Sequence, residues 1–138
     1  MLNCDETQFN VILAGRDGVY NYINLSSTLP KDCHVQIHYC STQDEMFSLL
    51  GKLDNIVLLA VDIKIVQPQL SELVNTLRSF LNDSGKLILV SEFSIQTMML
   101  AINAGFDELM VPPLRQQQIS ALLQAATRPK NNSKHLMY

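Results

Sequence analysis

Hydrophobic residues along this chain follow two periods, and the switch from one to the other recurs five times. Phe9-Asn10-Val11-Ile12-Leu13-Ala14 is a short apolar run closed by Gly15. A run of that length reads as a strand buried on both faces. Val19, Tyr22 and Ile23 then fall at i, i+3, i+4, which predicts a helix to about Leu29, stopped by Pro30. His34 to Tyr39 alternates as a second strand does. Ser41-Thr42 can cap a short second helix with Met46, Leu49, Leu50 and Leu53 on one side. Asn55 to Val61 carries the clearest buried-strand signal in the chain.

The third predicted helix has Pro68 in its first turn, Leu70, Leu73, Val74, Leu77 and Leu81 at helical spacing, and Gln69, Glu72, Asn75 and Arg78 facing out. Asn82-Asp83-Ser84-Gly85 reads as a turn, and Lys86 to Val90 as a fourth strand ending at Ser91. Ser94 can cap a fourth helix that ends at Gly105. At about 100° per residue from Met98, Ile95, Ala101 and Ile102 lie within about 60° and form the predicted core stripe. Met99 falls on the flank and Leu100 opposite the core. Glu108 to Val111 is a short fifth strand, Pro112-Pro113 follows, and Ile119, Leu122, Leu123 and Ala126 stripe a fifth helix.

Five β/α pairs with two-sided strands specify an α/β fold: a doubly wound, five-stranded parallel sheet, flavodoxin-like with order 2-1-3-4-5 and helices on both faces. Ligands and chemistry in such sheets sit at the carboxyl ends of the strands. That singles out Gly15-Arg16-Asp17, Asp62-Ile63-Lys64, Ser91-Glu92 and Pro112-Pro113.

Composition narrows the function classes. The 138 residues make one domain, and 47% apolar with 17% charged residues is a globular balance. A net charge of −3 disfavours nucleic acid as a partner. No apolar run approaches the roughly 18 residues that membrane insertion needs. Met1 to Asn10 is polar and has no leader pattern, so a cytoplasmic location is expected. Cys4, Cys33 and Cys40 form no C-x-x-C pair, which argues against a disulfide framework and fits a reducing compartment. Cys33, His34, His38 and Cys40 cluster in sequence, but on a strand the two histidines stand about 13 Å apart, too far to share one zinc. No metal and no cofactor are expected. From Arg128 the chain turns polar, so residues 1–127 read as the domain and 128–138 as a linker or tail. Lys134 to Tyr138 reads as the start of a further element, and the chain as the N-terminal module of a longer protein.

From about Phe9 to Ala126 the pattern resembles the receiver (CheY-like) domain of bacterial response regulators. Three segments carry the likeness: Leu87-Ile88-Leu89-Val90-Ser91, Ala101 through Gly105-Phe106-Asp107 to Leu109, and the spacing from Asp62 to Leu77-Arg78. The resemblance implies an acidic pair after strand one that holds magnesium, a nucleophilic Asp ending strand three, a Ser or Thr after strand four, and a Lys before a Pro after strand five. Here the acidic pair falls on Ala14-Gly15 and the Lys on Pro112. The Asp position falls on Ala60 when counted from the second strand and on Asp62 when counted from the third helix. Asp62, with Ser91, is therefore the candidate phosphoacceptor without its usual company. Gly15-Arg16-Asp17-Gly18 is too short for a G-x-G-x-x-G or Walker loop.

The expected function is a non-catalytic signalling and interaction module: a degenerate pseudo-receiver, not an enzyme, that mediates homodimerisation or subcellular targeting of a longer protein. The alternative is a phosphoryl-accepting receiver using Asp62. The resemblance implies helix four, strand five and helix five as the interaction surface. Met99, Leu100, Arg115 and Gln118 are the candidate residues there. An atypical receiver followed by a linker also resembles the N-terminal part of TadZ/CpaE-type proteins, which localise Flp pilus assembly at a cell pole.

Overall fold

The computed structural model describes residues 8–21, 23, 33–66 and 69–127. The continuous apolar runs become the middle of the sheet. β1 (Gln8–Ala14) is buried at every residue after Gln8, and β3 (Ile56–Asp62) along its whole length. β2 (His34–Cys40), where the sequence alternates, buries only Cys40 and forms one edge. β4 (Leu81–Val90) and the three-residue β5 (Glu108–Met110) complete a parallel sheet in the order β2-β1-β3-β4-β5. This is the predicted flavodoxin-like topology.

Alternate residues of the same strands serve two cores, as a period of two requires. Ile12, Leu59, Val61, Leu87 and Leu89 pack with α1 (Gln43–Lys52), α2 (Leu70–Arg78) and α3 (Ile95–Ala104). Val11, Leu13, Leu58, Ile88 and Val90 pack with α4 (Gln116–Thr127), which buries its predicted stripe of Ile119, Leu122, Leu123 and Ala126. Helices thus lie on both faces. The predicted caps hold as well. Thr42 accepts the Glu45 amide at the start of α1, and Ser94 and Thr97 form a reciprocal capping box on α3.

Four expectations change. The helix predicted from Val19 does not begin there. Arg16 to Val19 is a turn, and Tyr20 pairs with Leu114 in an isolated bridge, with Leu114 donating to the Val19 carbonyl at 2.8 Å. Val19 and Ile23 are nonetheless buried beside α4, so their spacing reports burial rather than a helix. Tyr22 and the stretch 24–32 lie outside the described residues, as do Pro68 and the predicted tail 128–138.

β4 starts at Leu81, not Lys86. The turn signal Asn82-Asp83-Ser84-Gly85 lies inside this strand as an irregularity, where the partners of Ile56 and Leu58 are Leu81 and Lys86. Gly85 fits because a side-chain carbon there would meet the Asn82 carbonyl at 3.0 Å.

On α3 the predicted stripe is rotated. Only Ala101 of that stripe is buried. The inward residues are Thr97, Ala101 and Ala104, while Ile95, Met98 and Ile102 face out. The helix is apolar on both sides, and its larger residues are on the outer one, so hydrophobicity alone picks the wrong face.

Finally, Cys33 is disulfide-bonded, where the cysteine pattern argues against a disulfide framework and for a reducing compartment, while Cys40 is free. Burial, with the Glu45 charge adding, pushes the Cys40 thiol up to about 11. Among the described residues no helix is long and apolar enough to cross a membrane.

The Gly105-Phe106-Asp107 passage fastens α3 to the sheet. Gly105 takes φ 102°, the left-handed conformation that ends the helix. Asp107 donates its amide to the Leu87 carbonyl at 2.8 Å and accepts the Leu87 amide on its side chain at 2.7 Å. Arg78 reaches across from α2 to the same carboxylate at 3.0 Å and to the Gly105 carbonyl at 2.8 Å. Asp107→Ala leaves the Leu87 amide without this side-chain partner and is expected to cost about 1–3 kcal/mol in urea denaturation.

Candidate functional site

β1 and β3 are neighbours that end level with each other, Ala14 opposite Val61, so the residues that follow meet at the carboxyl edge of the sheet. Asp62 closes β3 and its side chain is 1% exposed. A carboxylate so buried must be hydrogen-bonded, and it is. Oδ2 accepts the Arg16 amide at 3.0 Å and Arg16 Nε at 2.7 Å. Oδ1 accepts Arg16 Nη2 at 3.2 Å and the Lys64 amide at 3.0 Å. Two of these four bonds are the bidentate fork that matches guanidinium to carboxylate. Burial pushes the Asp62 carboxyl up, but the Arg16 side chain, the two amides and the Arg16 charge more than offset it and hold the group below its ordinary value. The same hydrogen bond raises the Arg16 guanidinium.

Gly15 makes the arrangement possible. A side-chain carbon there would lie 2.9 Å from Asp62 Cβ and 3.0 Å from Tyr20 Cε2. The residue that the receiver resemblance would make acidic is thus in a position with no room for a side chain. Tyr20 forms the other wall, with its hydroxyl donating to the Ala14 carbonyl at 2.9 Å. Burial, with the nearby Asp62 charge, pushes that hydroxyl far up, so it stays a neutral donor.

Ser91 is buried and follows Val90, the register partner of Asp62. Its amide bonds the Met110 carbonyl at 3.0 Å and its hydroxyl donates to the Glu92 carbonyl at 3.1 Å. It lines a cleft of about 370 Å³ with Arg16, Lys64, Glu92 and Pro112. Pro112 stands where a receiver-type lysine would be, and its bond to Pro113 is cis. The cleft thus brings together the strand ends singled out from the sequence, with Arg16 and not the Asp62 carboxylate in its lining.

The remaining candidates separate. Met99 and Leu100 are both exposed on α3. Arg115 and Gln118 are exposed at the start of α4, where the Gln118 side chain accepts the Arg115 amide at 2.9 Å and so serves as a local cap. In β2, His38 bonds the Asn10 side chain at 3.0 Å, and burial lowers its affinity for a proton.

The pairing of Arg16 with Asp62 is what sequence reasoning missed. The signal was available: in the order 2-1-3-4-5, strands one and three are adjacent, so a cation just past one and an acid ending the other must meet.

Two expectations follow from the pair. Gly15→Ala overpacks the Asp62–Tyr20 contact and should cost about 1–3 kcal/mol of stability in urea denaturation. The Asp62 carboxyl is depressed on folding, so its contribution is present above its ordinary value of 3.8 and is lost as pH falls through the lower native value. Urea midpoints of the wild type and Asp62→Asn should therefore differ at neutral pH and converge in strong acid.

In comparisons with known proteins, no family model, curated protein or solved structure matches the chain. What stands is the fold, a five-stranded parallel sheet of order 2-1-3-4-5 with the flavodoxin-like, CheY-like topology.

Proposed function

We propose that this chain is a non-catalytic interaction module, a degenerate receiver-like domain that associates with protein partners instead of accepting a phosphoryl group. The observation that supports this most is the closure of Asp62. A phosphoacceptor needs a carboxylate oxygen free to attack phosphorus and a metal ion to neutralise the transferred charge. Both Asp62 oxygens already accept two hydrogen bonds each, and the neighbouring positive charge is Arg16 of the same chain. Ala14 and Gly15 offer no oxygen side chains to a cation, and Pro112 offers no charge to a phosphate.

In this reading the domain works through its surface, in self-association or in targeting a longer protein. Localisation of pilus assembly is the setting that the sequence resemblance suggests. A cytoplasmic placement goes with this reading, and the Cys33 disulfide is the observation that weighs against it. The second reading, a phosphoacceptor at Asp62, is favoured by one fact: the residue ends the central β3 at the sheet's carboxyl edge, beside the cleft that Ser91 lines.

The two readings part on a titration with magnesium and beryllium fluoride, followed by amide NMR. The proposed function expects no saturable shifts at Asp62, Lys64 and Ser91. Saturable shifts there would establish the phosphoacceptor instead.

A further inference from the structure

The outer side of α3 carries an apolar stripe with an internal symmetry. Ile95, Met98, Met99 and Ile102 are 73%, 42%, 57% and 67% exposed. They stand at i, i+3, i+4 and i+7, the spacing of a helix face that packs against another helix. The opposite side, Thr97, Ala101 and Ala104, is the one that meets the sheet. Read in either direction the stripe is the same: Ile, Met, Met, Ile, with the same intervals.

A two-fold interface demands a patch complementary to itself, in which residue i meets j and j meets i. An axis passing between Met98 and Met99, with the helices antiparallel, sets Ile95 opposite Ile102 of the second copy and Met98 opposite Met99. Charge does not oppose this. From Phe93 to Phe106 the chain has no ionisable side chain, so the stripe itself sets no like charges opposite one another. Phe93, Leu100 and Val111 are also exposed. The four stripe residues present on the order of 400 Å², about half of the roughly 800 Å² per partner of a standard interface, so they form the centre of the contact and not the whole of it.

We infer that α3 is the dimerisation element of this chain, pairing antiparallel with α3 of a second copy through Ile95, Met98, Met99 and Ile102. This rests on the reading of the domain as an interaction module and names its partner and its contact. Leu100 lies outside the stripe, about 100° beyond Met99, and contributes only at the margin. Arg115 and Gln118 of α4 take no part in the central contact.

Sedimentation equilibrium of the full 138-residue chain should give a dimer. Met98→Lys and Ile102→Lys should each weaken it at least about tenfold. Both residues are solvent-exposed in the single chain, so circular dichroism and the melting temperature of the monomer should be unchanged. Orientation is read by oxidative cross-linking. Met99→Cys, next to the axis, should link to itself. Ile95→Cys alone should not, because its two copies lie about 10 Å apart along the helices, whereas the Ile95→Cys, Ile102→Cys double variant should. A wild type that stays monomeric up to millimolar concentration, a dimer untouched by Met98→Lys, or self-linking by Ile95→Cys alone would each overturn the inference. None of these outcomes alters the beryllium fluoride titration at Asp62, so failure of the dimer and failure of the non-catalytic reading are told apart.

Discussion

Burying β3 on both faces fixes much of what happens at the sheet's edge. A strand with no solvent-facing residue cannot end on a carboxylate unless that group finds donors at once, because an isolated buried charge is far too costly. Asp62 finds them in Arg16 and the Lys64 amide. The chain leaving β1 must therefore turn so that both the amide and the guanidinium of Arg16 point at β3. That turn requires Gly15, and it directs the following residues toward Leu114 and the α4 side of the sheet. The site and the path of the chain around it are consequences of one satisfied carboxylate.

The fold was legible because its central strands are unmistakable. Val11 to Ala14, Val57 to Val61 and Leu87 to Val90 are apolar at consecutive positions, which only a strand buried on both faces accommodates at that length. The helices were legible where one side is polar. In α2, Leu70, Val74 and Leu77 are buried and Glu72 and Asn75 are exposed, as the spacing implies. α3 was misread because Ile, Met and Leu crowd its outer side while Thr and Ala face the core. Periodicity finds where the large apolar residues are, and in this helix they are not at the core. Small residues line the inner side, next to an end of the sheet where β5 has only three residues.

The site was legible in its parts and not in its pairing. Ala14, Gly15 and Pro112 announce what is lacking at the strand ends, and Asp62 and Ser91 announce what is left. That Arg16 satisfies Asp62 depends on the lateral order of strands, which only the assembled topology supplies. The Cys33 disulfide was hidden for a related reason: an odd number of cysteines says nothing about which of them meet.

Gly15 also bears on how this chain can change by single steps. Any side chain there crowds Asp62 and Tyr20, so an acidic residue introduced alone carries at least the overpacking cost of alanine. Removing Arg16 first would strand a buried carboxylate, and removing Tyr20 first would empty the wall that packs beside it. Each route toward a cation-binding edge passes through a less stable intermediate. The closed edge is held in place by the mutual dependence of Gly15, Arg16, Tyr20 and Asp62, and substitutions elsewhere, including those on the outer face of α3, can accumulate without reopening it.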